Sequence, residues 1–248
     1  MQVSGKSAIV TGAGGGIGKA VCLRLASLGV GILAADIDAA AAQEAAVEIR
    51  KSCAVTAVPF GMDVADKAAN LAMVEAAVEA FGRVDILVCN AGIVSKGRPI
   101  EDIETAEWER FIGINLMGPV FATQAAAPLM KRQQQGSIVY MASVGGQVGG
   151  VAASTPYAVT KAGVLCLTKS MARQLAPYQV RVNAIAPGTI YTNMTGVLQY
   201  DEKTLASIPL GRIGHVQDIA GAAAYLCSDD AAYMTGAVLD VNGGLNMR

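Results

Sequence analysis

A strand-like run that leads into a glycine-rich turn and then a helical pattern constrains the fold more than any other feature of this sequence. Residues 6–11 form a short, β-branched, apolar strand candidate, and the turn GAGGGIG (12–18) follows at once. Apolar residues then recur at helical spacing as far as Gly29. Glycines let a backbone approach a pyrophosphate closely, and the N-terminus of the following helix favours its negative charge. This order of elements therefore predicts a dinucleotide-binding site near the start of the chain.

Two other glycine-rich phosphate motifs fail on single residues of the same turn. The GxGxxG spacing counted from position 12 requires glycine at position 17, where the chain has Ile17. The P-loop pattern fits Gly18-Lys19, but it lacks its first glycine at Ala13 and its magnesium-binding Ser or Thr at Ala20. The sequence thus disfavours a phosphate-transferring NTPase. What remains is the pattern TGxxxGxG over residues 11–18.

The acidic residue at the end of the second predicted strand bears on the choice of cofactor. Residues 30–35 form this strand, and Asp36 ends it 18 residues after Gly18. A carboxylate there accepts hydrogen bonds from both adenine-ribose hydroxyls and would repel the 2′-phosphate of NADP. Neither Gly15 nor Ile37 supplies a compensating cation. The predicted cofactor is therefore NAD.

A tyrosine and a lysine lie one helical turn apart in the run YAVTK (157–161). At this spacing the phenol of Tyr157 and the ammonium of Lys161 project from the same helix face, and a nearby cation favours the phenolate. Ser143 lies 14 residues before the tyrosine, after an apolar strand-like run. Such pairs are also common in ordinary amphipathic helices, so this pair gains its meaning from the rest of the chain.

Six motifs occur in the order of the short-chain dehydrogenase/reductase family, which the chain resembles from Lys6 to Gly244. They are the glycine turn 11–18, Asn90-Ala91-Gly92, Asn115, Ser143, Tyr157-x-x-x-Lys161 and Pro187-Gly188. The resemblance implies an α/β fold, with a Rossmann-like doubly wound parallel sheet of about seven strands and helices on both faces. It also implies an active site of Asn115, Ser143, Tyr157 and Lys161. Departures at Cys89 and Gln174, and a Ser–Tyr gap one residue longer than in many members, leave these chemical groups in place.

The resemblance further implies cofactor contacts from residues spread over most of the chain. Asp63 has a second interpretation, as a helix-capping residue. Asn115, which lies in an apolar helical stripe, could have a purely structural role. Residues 189–212 are long for a loop, and 193–208 are either a substrate lid or a disordered surface loop. The implied cofactor contacts are Gly12, Gly16, Ile17, Gly18, Asp36, Asp63, Val64, Asn90, Ala91, Gly92, Tyr157, Lys161, Pro187, Gly188, Thr189, Ile190 and Thr192.

Composition narrows the class of protein. Regular strand–helix alternation without a linker predicts a single domain over residues 1–248. A net charge of −1 and the lack of a dominant basic run argue against nucleic acid and membrane partners, and no apolar run approaches the length of a membrane span. Five cysteines without CxxC spacing and no signal peptide predict free thiols in the cytoplasm, and the single His215 excludes a multi-histidine metal site. Only 16% charged residues are compatible with the homotetramer that is frequent in the family.

The function predicted from these features is reversible, NAD-dependent interconversion of a secondary alcohol and a ketone. Tyr157 acts as general acid or base, Ser143 holds the substrate oxygen, Lys161 favours the phenolate and binds nicotinamide ribose, and Asn115 positions a water. One alternative is a 3-oxoacyl thioester reductase that acts on an acyl carrier protein. For that partner, Arg132, Lys169 and Arg173 would form a basic docking patch. A second alternative is a non-catalytic dinucleotide-binding protein, which would not need all four active-site residues.

Overall fold

Seven parallel strands form one sheet in the order β3-β2-β1-β4-β5-β6-β7. The computed structural model describes residues 1–150, 152–192 and 202–248. The predicted doubly wound sheet is confirmed. Its strands are β1 (Ser7–Thr11), β2 (Gly31–Asp36), β3 (Ala57–Gly61), β4 (Ile86–Cys89), β5 (Gly136–Met141), β6 (Val180–Pro187) and β7 (Val238–Val241).

Helices connect the strands in alternation. A π-helical segment, Ile112–Met117, joins two of them into one continuous run. The helices are α1 (Gly16–Ala26), α2 (Ala39–Ser52), α3 (Lys67–Phe81), α4 (Thr105–Phe111), α5 (Gly118–Gln133), α6 (Gly145–Val148), α7 (Thr155–Leu175), α8 (Glu202–Ala206) and α9 (Val216–Cys227). Short 3₁₀ turns occupy Ile100–Asp102, Ala176–Tyr178 and Asp229–Ala231.

The sheet is buried on both faces, which explains its nearly continuous apolar strands. Every residue of β1 and β4 is buried, and Ile9 of β1 pairs in register with Leu33 on one side and Leu87 on the other. Residues of α1, α2 and α9 pack on one face, and residues of α3, α5 and α7 on the other. Both faces therefore belong to the core.

Aspartates fix the starts of two helices that follow the carboxyl ends of β2 and β3. The Asp38 carboxylate accepts hydrogen bonds from the first amides of α2, and Asp66 does the same for α3. Asp66 thus takes the capping role that was one interpretation of Asp63. The Asp63 carboxylate instead accepts a hydrogen bond from the Ala65 amide at 2.9 Å and forms a turn just beyond β3.

The strand order reverses between β1 and β4, and the carboxyl ends of these two strands open a crevice. Most of the predicted lid, residues 193–201, lies outside the described residues. In the part of the chain that the structure describes, all five cysteines are free, and no helix is both long and apolar enough to cross a membrane. No group of three or more His, Cys, Asp or Glu side chains that could hold a metal is found among those residues.

Candidate active site

The glycine turn after β1 is joined closely to the turn after β4. The Asn90 side-chain amide donates to the carbonyl oxygens of Thr11 and Gly12, each at 3.1 Å. The Thr11 hydroxyl in return accepts from the amides of Asn90 and Ala91. A Cβ on Gly12 would lie 2.8 Å from the Asn90 amide nitrogen, so any larger residue would push the two turns apart. These contacts hold the floor of the crevice in one shape.

Glycines also leave the N-terminus of α1 open to an anion. Gly15 is the N-cap of α1 and has no side chain to bond to the first amides of the helix. Gly18, in the first turn, lies so close to Gly12 that an added Cβ would stand 1.9 Å from the Gly12 carbonyl oxygen. Gly16 has a φ of 53°, a conformation that favours glycine. A backbone cradle with free amides is the arrangement that a pyrophosphate requires.

Asp36 is held in place by backbone amides at the end of β2. One carboxylate oxygen accepts from the Gly14 amide at 2.8 Å, and the other accepts from the Asp38 amide at 3.0 Å. A Cβ on Gly14 would lie 3.0 Å from that first oxygen, so glycine also permits this contact. The carboxylate therefore faces the crevice in a fixed orientation and keeps further lone pairs for a ligand hydroxyl.

Asn115 lies in the π-helical segment and joins it to the turn after β4. The side chain is fully buried, and its oxygen accepts from the Ile93 amide at 2.8 Å. Its nitrogen donates to the Ile93 carbonyl at 3.0 Å and to the Thr160 hydroxyl at 3.3 Å. Asn115 thus holds the turn that carries Ile93, and the π-turn that presents it is an irregularity of the kind often found at functional sites.

Lys161 extends from the second turn of α7 to the end of β5. Its ammonium donates to the Met141 carbonyl at 2.7 Å and lies 5.8 Å from the centroid of the Tyr157 ring. Burial lowers the pKa of Lys161 to about 8, so the side chain is mainly a cation at neutral pH. A Cβ on Gly92 would stand 3.0 Å from the Asn115 oxygen and 3.5 Å from the lysine nitrogen, which places these two groups on one spot.

Ser143 and Tyr157 meet at the other side of the same spot. The Ser143 hydroxyl accepts from the Gly145 amide at 3.0 Å in the first turn of α6. A Cβ on Gly145 would lie 3.4 Å from that hydroxyl oxygen and 3.5 Å from the edge of the Tyr157 ring. Glycine at position 145 thus lets a hydroxyl and a phenol ring approach each other beside the lysine.

A cleft of about 500 Å³ collects almost all of the residues predicted for the site. Among the described residues, Gly18, Thr189 and Asn115 are the predicted residues that do not line it. Gly18 packs against Gly12, the Thr189 carbonyl accepts from the Gly214 amide, and Asn115 lies behind Ile93. The predicted residues that line it are Gly12, Gly16, Ile17, Asp36, Asp63, Val64, Asn90, Ala91, Gly92, Ser143, Tyr157, Lys161, Pro187, Gly188, Ile190 and Thr192.

Sequence reasoning missed several residues that line the cleft. Arg110 of α4 brings a cation to it, and no sequence pattern signalled this placement. Met62 and Ile114 were accessible to a simple argument, because each precedes a predicted site residue directly. The missed lining residues are Met62, Ile93, Arg110, Ile114, Met141 and Ala142.

A second cavity, of about 480 Å³, lies at the amino ends of the strands. Its wall includes Lys6, Asp85, Ser137 and Val180, which flank or begin β1, β4, β5 and β6. It is therefore at the opposite edge of the sheet from Ser143, Tyr157 and Lys161. The chemistry that these three groups can perform belongs to the cleft at the carboxyl edge.

Known proteins match the chain over nearly its whole length. A family model described as Enoyl-(Acyl carrier protein) reductase matches residues 12–246, a span that includes every lining residue of the cleft. The chain is 41% identical over 244 residues to the 3-oxoacyl-[acyl-carrier-protein] reductase FabG of Staphylococcus aureus, which covers 98% of each chain.

Solved structures agree in fold. A short-chain type dehydrogenase/reductase from Mycobacterium marinum gives a TM-score of 0.94 at 36% identity and covers 99% of this chain and 97% of its own. The 3-ketoacyl-(acyl-carrier-protein) reductase from Brucella melitensis, complexed with NADH, gives a TM-score of 0.91 at 37% identity. That match covers 98% of this chain and 99% of the other.

Proposed function

We propose, since the chain belongs to the short-chain dehydrogenase/reductase family of oxidoreductases, that it interconverts a ketone and a secondary alcohol with NAD(H). The favoured substrate class is a 3-oxoacyl thioester. The observation that carries the reaction type is the convergence of the Ser143 hydroxyl, the Tyr157 ring and the Lys161 ammonium at one end of a cleft. The other end of that cleft is a glycine cradle.

The residues present fit a nicotinamide dinucleotide. Gly12, Gly16 and the open N-terminus of α1 would hold the pyrophosphate, and Asp36 would bind the adenine ribose. The anchored carboxylate supports NAD over NADP, because a 2′-phosphate would meet its negative charge. When bound, the nicotinamide ring supplies or accepts the hydride.

The protein groups would handle the proton and the substrate oxygen. In reduction Tyr157 donates its proton to the carbonyl oxygen, and in oxidation its phenolate removes the hydroxyl proton. Ser143 donates a hydrogen bond to the same oxygen and holds it beside Tyr157. Lys161 favours the phenolate by its charge, and its position in the cleft suits a nicotinamide-ribose hydroxyl. Asn115 fixes the turn that carries Ile93 and would position a water next to Lys161.

The relatives support the 3-oxoacyl thioester interpretation more than the plain alcohol that the sequence alone favoured. The relative from Staphylococcus aureus and the Brucella structure both carry that activity in their names. The substrate class is thus revised toward a ketone two carbons from a thioester, with the same proton chemistry at Tyr157.

The placement of the basic residues favours a second candidate, a ketone that does not arrive on a carrier protein. Lys169 and Arg173 follow Tyr157 on α7 by 12 and 16 residues. This spacing puts them about 18 and 24 Å along the helix axis from the tyrosine. Arg132 lies in the last turn of α5, which leads into the amino end of β5. The predicted docking patch is therefore at the far end of α7 from the cleft of the same chain.

One experiment separates these candidates. Purified protein is assayed with NADH and with NADPH on acetoacetyl-coenzyme A, on the same acyl group attached to an acyl carrier protein, and on small cyclic ketones. We expect the highest kcat/KM for a 3-oxoacyl thioester with NADH. A preference for acetoacetyl-coenzyme A over the carrier-bound form, or for the cyclic ketones over both, would favour the second candidate. Reduction of none of these substrates would support the dinucleotide-binding protein instead.

The same proposal includes the organisation of the chain. We propose one domain over residues 1–248, in which residues 189–212 cover the substrate, and a cytoplasmic homotetramer. Val159 of α7 and Ile112 of the π-segment are apolar, are 51% and 39% exposed, and would be covered by a subunit contact. Light scattering of the purified protein should give about four times the monomer mass, and a monomer mass would refute this arrangement.

A further inference from the structure

A polar cluster links the helix after Ser143 to the segment that follows β7. The Gln147 carboxamide of α6 donates to the Asp240 carboxylate at 2.6 Å and accepts from the Asn246 amide at 2.7 Å. Asp240 lies in β7, and Asn246 follows it by six residues. Gln147 therefore uses both ends of its carboxamide on one partner segment.

That partner segment, residues 240–248, is held by several hydrogen bonds of its own. The buried Asn242 side chain donates to the Asn246 carbonyl at 2.8 Å and accepts from the Gly244 amide at 2.9 Å. The Gly243 carbonyl accepts from the Leu210 amide at 3.0 Å. Arg248 closes the cluster through an ion pair with Asp240 at 2.9 Å. Gln147 is thus bonded to a segment that is itself held by hydrogen bonds and an ion pair.

Gln147 provides the polar side-chain contacts of α6, which is otherwise held by its backbone hydrogen bonds and by its packing on α7. Of the four residues of α6, two are glycines and one is Val148, so Gln147 is the one with a polar side chain. Gly149 and Gly150 follow with φ values of 92° and 75°. Glycines have a large backbone entropy in any less ordered state, so this segment is costly to order.

A shift of α6 would change the active site directly. The Ser143 hydroxyl accepts from the Gly145 amide, and the Ser143 carbonyl accepts from the Gly146 amide at 3.1 Å. On its other side α6 lies against the backbone of α7, where a Cβ on Gly146 would come within 2.6 Å of the Lys161 carbonyl carbon. The orientation of α6 consequently sets the distance of the serine hydroxyl from Tyr157 and Lys161.

We propose that Gln147 is a positioning residue, which holds α6 against residues 240–248 and thereby fixes the Ser143 hydroxyl for the substrate oxygen. The consequence for catalysis rests on the proposed ketone reduction. The contacts of Gln147 are with Asp240 and Asn246, and its effect on the reacting groups passes through the backbone of residues 143–146. It should therefore affect turnover more than the binding of NADH.

The test uses a charge swap. Gln147→Glu places a carboxylate against Asp240, so it removes the donor and adds repulsion. Combining it with Asp240→Asn supplies an amide donor at position 240, while the new carboxylate still accepts from Asn246. The matched control is Gln174→Glu, the same substitution at an exposed site of α7, 17 residues beyond Tyr157. Each protein is measured for kcat and KM with acetoacetyl-coenzyme A and NADH. Amide hydrogen exchange of residues 143–150 is measured alongside.

Gln147→Glu should lower kcat by about 10-fold with the KM for NADH nearly unchanged, since small misplacements of a positioning group cost this much. The amides of Val148 and Gly149, which bond to the Val144 and Gly145 carbonyls, should exchange several-fold faster. The swap should restore both values, and the control should change neither.

Unchanged exchange in Gln147→Glu would overturn the inference, whatever the activity. Faster exchange with unchanged kcat would also overturn it, because α6 would then move without consequence for Ser143. A wild-type protein that reduces no ketone would refute the proposed function instead. The exchange measurement would in that case still decide whether Gln147 holds α6.

Discussion

The two ends of the cleft are built in different ways. At the cofactor end the groups that would meet the ligand are held by backbone amides and close glycine packing, as in the Gly14 amide on Asp36 and the contact of Gly12 with Asn90. At the catalytic end, the buried side chains of Lys161 and Asn115 instead bond to backbone groups that are distant in sequence. Lys161 reaches the Met141 carbonyl, for example, across 20 residues of sequence.

This difference predicts where substitutions act. A change at the cofactor end that leaves the glycines intact should alter which ligand binds and leave the fold nearly unaffected. A change at the catalytic end removes a partner from a buried polar group, and such groups are costly to leave unsatisfied. There the effects on activity and on stability should appear together, except where the side chain exposes its reactive group to the cleft.

The largest effect should come from Tyr157→Phe, because Tyr157 lines the cleft and its hydroxyl is the reactive group. The ring remains in place and the group that transfers the proton is lost. We expect kcat to fall by at least about 100-fold, within the range for general acid–base residues, with the dissociation constant for NADH nearly unchanged. Steady-state kinetics and fluorescence titration measure the two quantities. Near-normal turnover would show that another group handles the proton.

The next effect should come from the cofactor end. The wild type should prefer NAD(H) over NADP(H) by at least about 100-fold in kcat/KM, which corresponds to about 2.7 kcal/mol. Asp36→Ala with Ile37→Arg should narrow or reverse this ratio, mainly through KM, because it exchanges a repelling carboxylate for a cation. The melting temperature should change little.

A wild type that uses both cofactors equally would contradict this view of Asp36. The compensating cation would then be Arg110, which lines the same cleft as Lys161. Arg110→Ala would then be the variant that distinguishes a compensating cation from a carboxylate without influence. In the proposed arrangement, that variant leaves the preference for NAD in place.

The same difference explains what the sequence could predict. The glycine turn, Asp36 and the Tyr157–Lys161 spacing are local patterns, and the fold that they indicated is confirmed. Contacts between elements left no local pattern. Three features depend on how the elements pack after folding. They are the π-helical segment around Asn115, the position of Arg110 in the wall of the cleft, and the hydrogen bond from Gln147 to Asp240. Asp63 shows the limit at a single residue, since the sequence left both a cofactor contact and a helix cap open there, and Asp66 three residues later provides the cap.

At the catalytic end, Asn115→Ala should destabilise the protein. It leaves the Ile93 amide and carbonyl, both partly buried, without their partner. Unsatisfied buried groups of this kind cost about 1–3 kcal/mol, so we expect a loss of about 2 kcal/mol in the free energy of unfolding. Urea unfolding measures it, and Thr160→Val is the comparison, because it removes the longest of the three Asn115 contacts together with the hydrogen bond from the Thr160 hydroxyl to the Tyr157 carbonyl. A loss no larger than in that variant would mean that the Ile93 turn holds itself.

The smallest effect concerns the pH dependence of stability, and it arises from the buried ammonium of Lys161 at the catalytic end. Burial lowers the pKa of Lys161 to about 8, whereas a lysine in the unfolded chain keeps its ordinary pKa of 10.5. Between these values the unfolded state binds more protons than the folded state, so the contribution of Lys161 to stability must rise with pH. From pH 7 to pH 9 the gain should be about 1 kcal/mol relative to Lys161→Met. The Cys89 thiol beside it stays neutral in this range, since burial raises its pKa to about 12. Measuring both proteins in a Tyr157→Phe background removes the titration of the phenol. A wild type that instead loses stability relative to Lys161→Met over this range would mean that the ammonium gains more from its partners than burial costs it.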